Sequence, residues 1–175
     1  MKIIGLTGLE GSGKDTVADF LVEAHGFHKV SFASPMKKAL NIMFNWEMEQ
    51  WDDREWKERT LKELGKSPRQ LAQTLGTEWG RELVNPRLWL LVAAKEIKRH
   101  QKVVISDVRY DEEAEYVRAI GGRIFMIDRP GTVKLNHKSS GELSPEYVDV
   151  QVNNSASIAQ LKKQVNIALM FGGIK

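Results

Sequence analysis

A lysine at the end of a glycine-rich turn is a phosphate-handling group, and Gly8-Leu9-Glu10-Gly11-Ser12-Gly13-Lys14-Asp15-Thr16 has that composition and spacing. A polyphosphate needs many N–H donors aimed at one place with no side chains in the way. Glycines let the backbone curl so that successive N–H groups point inward, and the N-terminus of a following helix adds roughly half a positive charge. Gly8, Glu10, Gly11, Ser12, Gly13, Asp15 and Thr16 are therefore expected around the phosphates of ATP, with Lys14 reaching the β- and γ-phosphates as a catalytic cation. The motif needs a strand before it and a helix after it. Lys2-Ile3-Ile4-Gly5-Leu6-Thr7 reads as a buried strand, and Val17-Ala18-Asp19-Phe20-Leu21-Val22 has helical spacing.

One position departs from the commonest form of this loop. Where Ser or Thr usually follows the lysine and its hydroxyl binds Mg²⁺, this chain has Asp15, and the hydroxyl comes one residue later at Thr16. On a helix that is a rotation of about 100°. Lys-X-Thr is similar to the loop of nucleoside monophosphate kinases, which hold Mg²⁺ largely through nucleotide oxygens and water. The departure points toward small-molecule kinases and away from GTPases.

A second constellation is Val103-Val104-Ile105-Ser106-Asp107-Val108-Arg109, an apolar strand ending in a carboxylate with an arginine close behind. Ligands of open parallel sheets gather at the carboxyl ends of strands, so Asp107 and Arg109 are expected to face the same crevice as the loop. Asp107 suits a Mg²⁺-bound water or a substrate hydroxyl. Arg109 suits a bidentate clamp on a phosphate. The alternative is a helix-capping aspartate and a surface arginine.

These groups need a sheet to hold them. Strands are expected at Lys2–Thr7, Lys29–Phe32, Lys102–Asp107, Arg123–Asp128 and Tyr147–Val152. Helices are expected at Lys14–His25, Pro35–Asn45, Arg54–Leu64, Pro68–Leu83, Pro86–His100, Glu112–Ile120 and Ile158–Met170. The alternation predicts an α/β fold with a mainly parallel sheet. Ser34, Ser67 and Asn85, each followed by proline, read as helix N-caps. Residues 33–101 form a helical insertion without a convincing strand. Residues 129–146, polar and containing Gly, Pro and Ser, read as a lid.

At 175 residues the chain fits a single domain. It has no cysteine, which excludes disulfides and thiolate metal sites and suits a reducing cytoplasm, the host's if a phage encodes it. The N-terminus does not read as a signal peptide, and no apolar run is long enough to span a bilayer. Twenty-six basic residues against 23 acidic ones give a net charge of +3, compatible with polyanionic small substrates. The basic residues are dispersed, so nucleic acid is not expected as the primary partner.

Five segments in order, Gly11–Leu21, Ser34-Pro35-Met36-Lys37, Arg69–Thr77, Asp107-Val108-Arg109 and Arg129-Pro130-Gly131, resemble the phage-type deoxynucleoside monophosphate kinases, compact relatives of the adenylate-kinase group. The resemblance covers nearly the whole chain, and only the phosphate loop is specific alone. It implies a three-layer P-loop NTPase fold with a five-stranded parallel sheet, a helical part that binds the monophosphate and a lid carrying basic residues over ATP. It also implies transfer of the γ-phosphoryl group of ATP to a deoxynucleoside 5′-monophosphate.

Phosphoryl transfer asks the protein to align two polyanions and neutralise their charge. The donor side has Lys14, with Arg129 and Lys134 or Lys138 from the lid. The acceptor side has Arg69, Arg109 and Lys37. Gln73 and Thr77, four apart on one face with Arg69 four before, suit a base edge or a phosphate. Trp79 and Trp89 flank that region, and Trp89 is a candidate base-stacking residue, with core packing the plainer role for both. His137 is a further phosphate candidate. Asn153-Asn154, after the last strand, resembles the place where such kinases contact adenine, although Asn-Asn is also an ordinary turn. Thr16 and Asp107, directly or through water, are the Mg²⁺ candidates. His25 and His28 straddle a glycine and do not read as a metal pair, and His100 reads as a helix C-terminal residue.

Two other enzymatic or regulatory readings compete. One is a kinase of another small phosphate acceptor, such as dephospho-coenzyme A. The other is a GTP-binding switch, because Asp128-Arg129-Pro130-Gly131 matches D-x-x-G, but the chain has no Asn-Lys-x-Asp motif. The oligomer is expected to be a monomer or a homodimer.

Overall fold

The computed structural model describes residues 1–132 and 143–171. Its frame is a five-stranded sheet in the order β2-β3-β1-β4-β5, with every pairing parallel. The strands are β1 (Lys2–Thr7), β2 (His28–Val30), β3 (Lys102–Ile105), β4 (Arg123–Asp128) and β5 (Val150–Asn153). β1 buries five of its six residues, as a central strand covered on both faces must.

Ile4 and Leu6 join one core with Val17 and Leu21 of α1 (Lys14–His25) and Leu161 and Val165 of α7 (Ile158–Phe171). Gly5 belongs to the other face, against α6 (Asp111–Ala119). A Cβ at Gly5 would lie 2.6 Å from Ile124 Cδ1 of β4 and 2.9 Å from Val108 Cγ2, so a side chain there would force both to shift, while Val117 of α6 stands at an ordinary 3.6 Å. Helix, sheet and helix make three layers. Because β1 lies between β3 and β4, the segments leaving these three strands emerge side by side at their carboxyl ends, where the strand order reverses.

The chain forms two compact units, Met1–Ser31 with the described residues from Ala94 onward, and Phe32–Ala93. The second is helical, with α2 (Ser34–Phe44), a 3₁₀ turn at Met48–Asp52, α3 (Arg54–Glu58), α4 (Pro68–Gln73), a π-helical segment at Thr74–Val84 and the first part of α5 (Leu88–Ile97). Leu40, Trp51 and Ala72 are its buried centre, with Trp46 and Trp56 packed around them. The three tryptophans meet edge to face with ring centroids 5.0 to 6.0 Å apart, so their five-residue spacing reflects a turn folded on itself.

Four helical expectations change here. The helix expected over Arg54–Leu64 stops at Glu58, because Leu61 and Lys66 pair across a tight turn. The single helix expected over Pro68–Leu83 widens into π geometry at Thr74. Ser67 does cap its N-terminus: Ser67 Oγ accepts from Gln70 N–H, and Gln70 Oε1 accepts from Ser67 N–H. Ser34 does not cap, since α2 already includes it and Ala33 sits before it in helical conformation. Asn85 Oδ1 accepts from Arg87 N–H at 2.8 Å, and this turn delays α5 to Leu88. On the sheet, β5 starts at Val150 because Pro145–Tyr147 forms a 3₁₀ turn.

Candidate active site

The loop after β1 is built on close approach. Gly8 has φ +136°, and a Cβ there would lie 2.3 Å from the Ile127 carbonyl oxygen on β4. Gly13 has φ +101° and would place a Cβ 2.5 Å from Asn154 Nδ2. That amide donates to the Ser12 carbonyl at 2.8 Å, so the segment after β5 pins the loop just before α1 begins. Ser12 is buried, and its hydroxyl has no hydrogen-bond partner among the described residues. A buried, unpartnered hydroxyl in the glycine turn is a group that a phosphate oxygen would satisfy.

Gly11, Gly13, Lys14, Asp15, Thr16 and Arg129 line a cavity of about 260 Å³. A larger open depression of about 610 Å³ lies among Arg54, Glu55, Glu58 and Arg59, on a helix of five residues. Its lining is two arginines and two glutamates, whereas the smaller cavity joins the glycine turn to Lys14 and Arg129.

Lys14 Nζ donates to the Gly8 and Leu9 carbonyls at 2.8 and 2.7 Å. Burial lowers its pKa to about 8, and the Arg109 guanidinium pushes the same way, against the carboxylates of Asp15, Asp107 and Glu10. Arg109 and Asp107 are therefore within electrostatic reach of the loop lysine, although far from it in sequence. Arg129 follows the last residue of β4 and donates a long bond, 3.4 Å, to the Gly11 carbonyl.

The Asp107–Arg109 turn is stitched at several points. Val108 N–H donates to the Leu6 carbonyl at 3.0 Å, and Ser31 Oγ donates to Asp107 Oδ2 at 2.8 Å. Glu113, 2% exposed, accepts from the N–H groups of Arg109 and Tyr110 at 2.8 and 3.3 Å. Ser31, Glu113 and Asn154 carry roles that residue patterns alone did not assign. Tyr110-x-x-Glu113 has capping-box spacing, which was the available signal for Glu113. Nothing in the sequence marks Ser31.

The carboxylate of Asp15 lies 3.0 Å from Lys29 Nζ on β2, which also binds Asp19 at 2.9 Å. Burial works against the Lys29 ammonium, but the hydrogen bonds to Asp19 and Asp15 outweigh it and its pKa is raised. Thr16, beside Asp15, keeps its place in the cavity wall.

Asn153 Oδ1 accepts from Ser155 N–H at 2.8 Å, and its own N–H donates to Gln164 Oε1. The contact with the loop comes from the neighbouring Asn154.

In the helical unit, Lys37 Nζ lies 5.5 Å from the Trp51 ring centroid, and Arg69 Nε binds Glu58 Oε1 at 2.6 Å. Gln73 is half-buried and ends α4, whereas Thr77 is buried within the π segment. Arg69 and Gln73 lie within α4, and Thr77 follows one turn later in the π segment. Trp89 is buried and donates its indole N–H to the Gly76 carbonyl at 2.8 Å, packed against Gly80. Trp79, its neighbour at 6.5 Å, is the exposed one. Lys134, His137 and Lys138, and with them most of the expected lid, lie outside the described residues.

The arrangement is that of small kinases with a phosphate loop. Shikimate kinase from Aquifex aeolicus matches it with a TM-score of 0.57 over 99% of both chains at 17% identity. Dephospho-CoA kinase from Campylobacter jejuni matches with a TM-score of 0.50 over 100% of both chains at 15% identity. At such identities the likeness is one of fold. In sequence, the family model for deoxynucleotide monophosphate kinase matches residues 2–64 and 56–165. A mimivirus protein from Acanthamoeba polyphaga mimivirus, provisionally named a deoxynucleotide monophosphate kinase, is 34% identical over 183 aligned residues, 94% of each chain. The deoxynucleoside-5′-monophosphate kinase of Escherichia phage T5 is 31% identical over 110 residues, 57% of this chain and 44% of that one. The chain belongs to the deoxynucleotide monophosphate kinase family and is a phosphotransferase acting on small nucleotides. No described helix is long and apolar enough to cross a membrane.

Proposed function

We propose that this kinase takes its phosphoryl group from ATP, with Mg²⁺, and passes it to a deoxynucleoside 5′-monophosphate. The observation that carries the reading is a glycine-built cavity lined by Lys14 and Arg129, with Asp107 and Arg109 within electrostatic reach of Lys14. The donor triphosphate lies along the loop, with Gly8, Glu10, Gly11, Ser12, Gly13, Asp15 and Thr16 around it and Asn153 toward the adenine. On binding, Lys14 exchanges the Gly8 and Leu9 carbonyls for phosphate oxygens. An oxygen of the acceptor monophosphate forms a bond to the γ-phosphorus while the bond from that phosphorus to the β,γ-bridging oxygen breaks, giving ADP and a deoxynucleoside diphosphate. The protein's part is alignment and charge neutralisation. Lys14 and Arg129 act on the transferring group and Arg109 on the acceptor phosphate. Lys37, Arg69, Gln73, Thr77 and Trp89 are assigned to the monophosphate.

The hard oxygen donors of Thr16 and Asp107 suit Mg²⁺, directly or through water, and Asp107 is held in place by Ser31. Bound there, Mg²⁺ would shield charge on the phosphates.

A coupled assay of ADP release tests the reading, with ATP and Mg²⁺ against deoxy- and ribonucleoside monophosphates and dephospho-coenzyme A. Turnover is expected with at least one deoxynucleoside monophosphate. Turnover with dephospho-coenzyme A alone, or with ribonucleotides alone, would overturn it.

A further inference from the structure

At the other end of the sheet from the phosphate loop, parallel pairing brings together residues that are far apart in sequence. His28 is the first residue of β2 and pairs in register with Val103, near the start of β3. Glu96 lies in the last turn of α5, and His100 follows on the tightened turn into β3, with its N–H on the Ile97 carbonyl. His28 Nε2 and His100 Nε2 each lie 3.1 Å from the same atom, Glu96 Oε1. The two imidazoles are stacked, 3.6 Å between centroids and 10° between planes.

We propose that His28, Glu96 and His100 form a zinc(II)-binding site. One ligand atom from each residue lies within 4.8 Å of the other two. In a tetrahedral zinc site with bonds near 2.0–2.1 Å, adjacent ligand atoms sit about 3.3 Å apart. The two nitrogen–oxygen pairs already have nearly that separation, so binding needs the rings to turn and the backbone to stay. Two imidazoles and one carboxylate are the donor set of zinc sites that keep an open fourth position for water. Such a set selects zinc, cobalt, nickel or copper over Mg²⁺, which prefers oxygen.

Two imidazoliums stacked this closely would repel, whereas neutral rings can give both lone pairs to one cation. Arg99 binds the other oxygen of Glu96 at 3.1 Å, which leaves Oε1 as the single ligand atom of that carboxylate. The three side chains are partly open to solvent, so an ion can enter. Bound zinc would tie the start of β2 to the turn between α5 and β3.

The test uses the full chain stripped of metal by chelation and titrated with Co²⁺ and then Zn²⁺. One equivalent of Co²⁺ is expected to give the visible absorption of a four-coordinate ion, and Zn²⁺ is expected to abolish it. Zn²⁺ is also expected to raise the thermal midpoint in a concentration-dependent way. His100→Ala, His28→Gln and Glu96→Gln should each weaken binding by at least about tenfold, since losing a ligand exceeds the effect of losing a residue that orients one. His25→Ala should leave binding intact. Glu96→Gln keeps the side chain's shape and covers the case in which a histidine variant folds poorly. No binding at stoichiometric zinc, or binding unchanged in all three site variants, would overturn the proposal.

Discussion

Asp15 Oδ1 sits 3.0 Å from Lys29 Nζ, so the residue that replaces the usual loop hydroxyl pairs with β2. Its side chain is 79% exposed, and Lys29 keeps Asp19 as a second partner. An ion pair this open to solvent contributes little. Asp15→Asn should therefore change stability by less than about 1 kcal/mol in urea unfolding. A larger loss would mean that the carboxylate has another task. The Lys29 pairing stabilises the fold fully below the ordinary lysine pKa of 10.5 and fades only as pH rises through the raised value.

Lys14 sets a pH signature on nucleotide binding. Its pKa of about 8 in the free enzyme must rise when phosphates replace two carbonyls beside it. Binding then takes up a proton near pH 8, and ATP affinity should fall as pH rises through that value. Calorimetry at pH 8 in buffers of different ionisation enthalpy should show proton uptake, and Lys14→Met should abolish it. The same variant should lose at least about a hundredfold in kcat while remaining folded.

Asp107 and Arg109 should fail in different ways. Arg109→Ala should raise the KM for the monophosphate by about one to two orders of magnitude, the scale of a lost charge-assisted contact. Asp107→Asn keeps an acceptor for Ser31 but loses the charge near Lys14, so turnover should fall and its Mg²⁺ dependence should shift. Steady-state kinetics with Mg²⁺ varied separates the two.

Glu113 positions Arg109 through the backbone. Glu113→Ala removes the acceptor of two N–H groups and should cost about 2–3 kcal/mol in urea unfolding, with a raised KM for the monophosphate. Glu113→Gln retains an acceptor and should recover much of both effects. Loss of stability with an unchanged KM would mean that the carboxylate supports α6 alone.

The loop and β1 were legible because their signals are local: an apolar run, glycines at fixed offsets and a helix start. The nearness of Asp107 and Arg109 to the loop was legible because a carboxylate at a strand end is conspicuous. What escaped was whatever depends on neighbours far along the chain. Lys29 meets Asp15 only once β2 lies beside α1, and His28 meets His100 only once β2 pairs with β3. The π geometry from Thr74 to Val84 went unread because a widened helix has no residue pattern of its own. The burial of Trp89 depends on a Gly76 carbonyl that no spacing rule points to.

The phosphate loop, Asp107 and Arg129 follow three adjacent strands, β1, β3 and β4. Neighbouring strands stand about 4.8 Å apart, so the backbone ladder sets the spacing of these charges. It also sets when they can meet. Residues 1–16 contain the whole phosphate loop, yet β1 has no partner until Lys102–Ile105 has been made. Competence therefore arrives late and all together, since long-range parallel pairing must close before any cation is in place. A nascent or truncated chain that ends before Arg129 carries the kinase's most recognisable motif without its completed charge cluster.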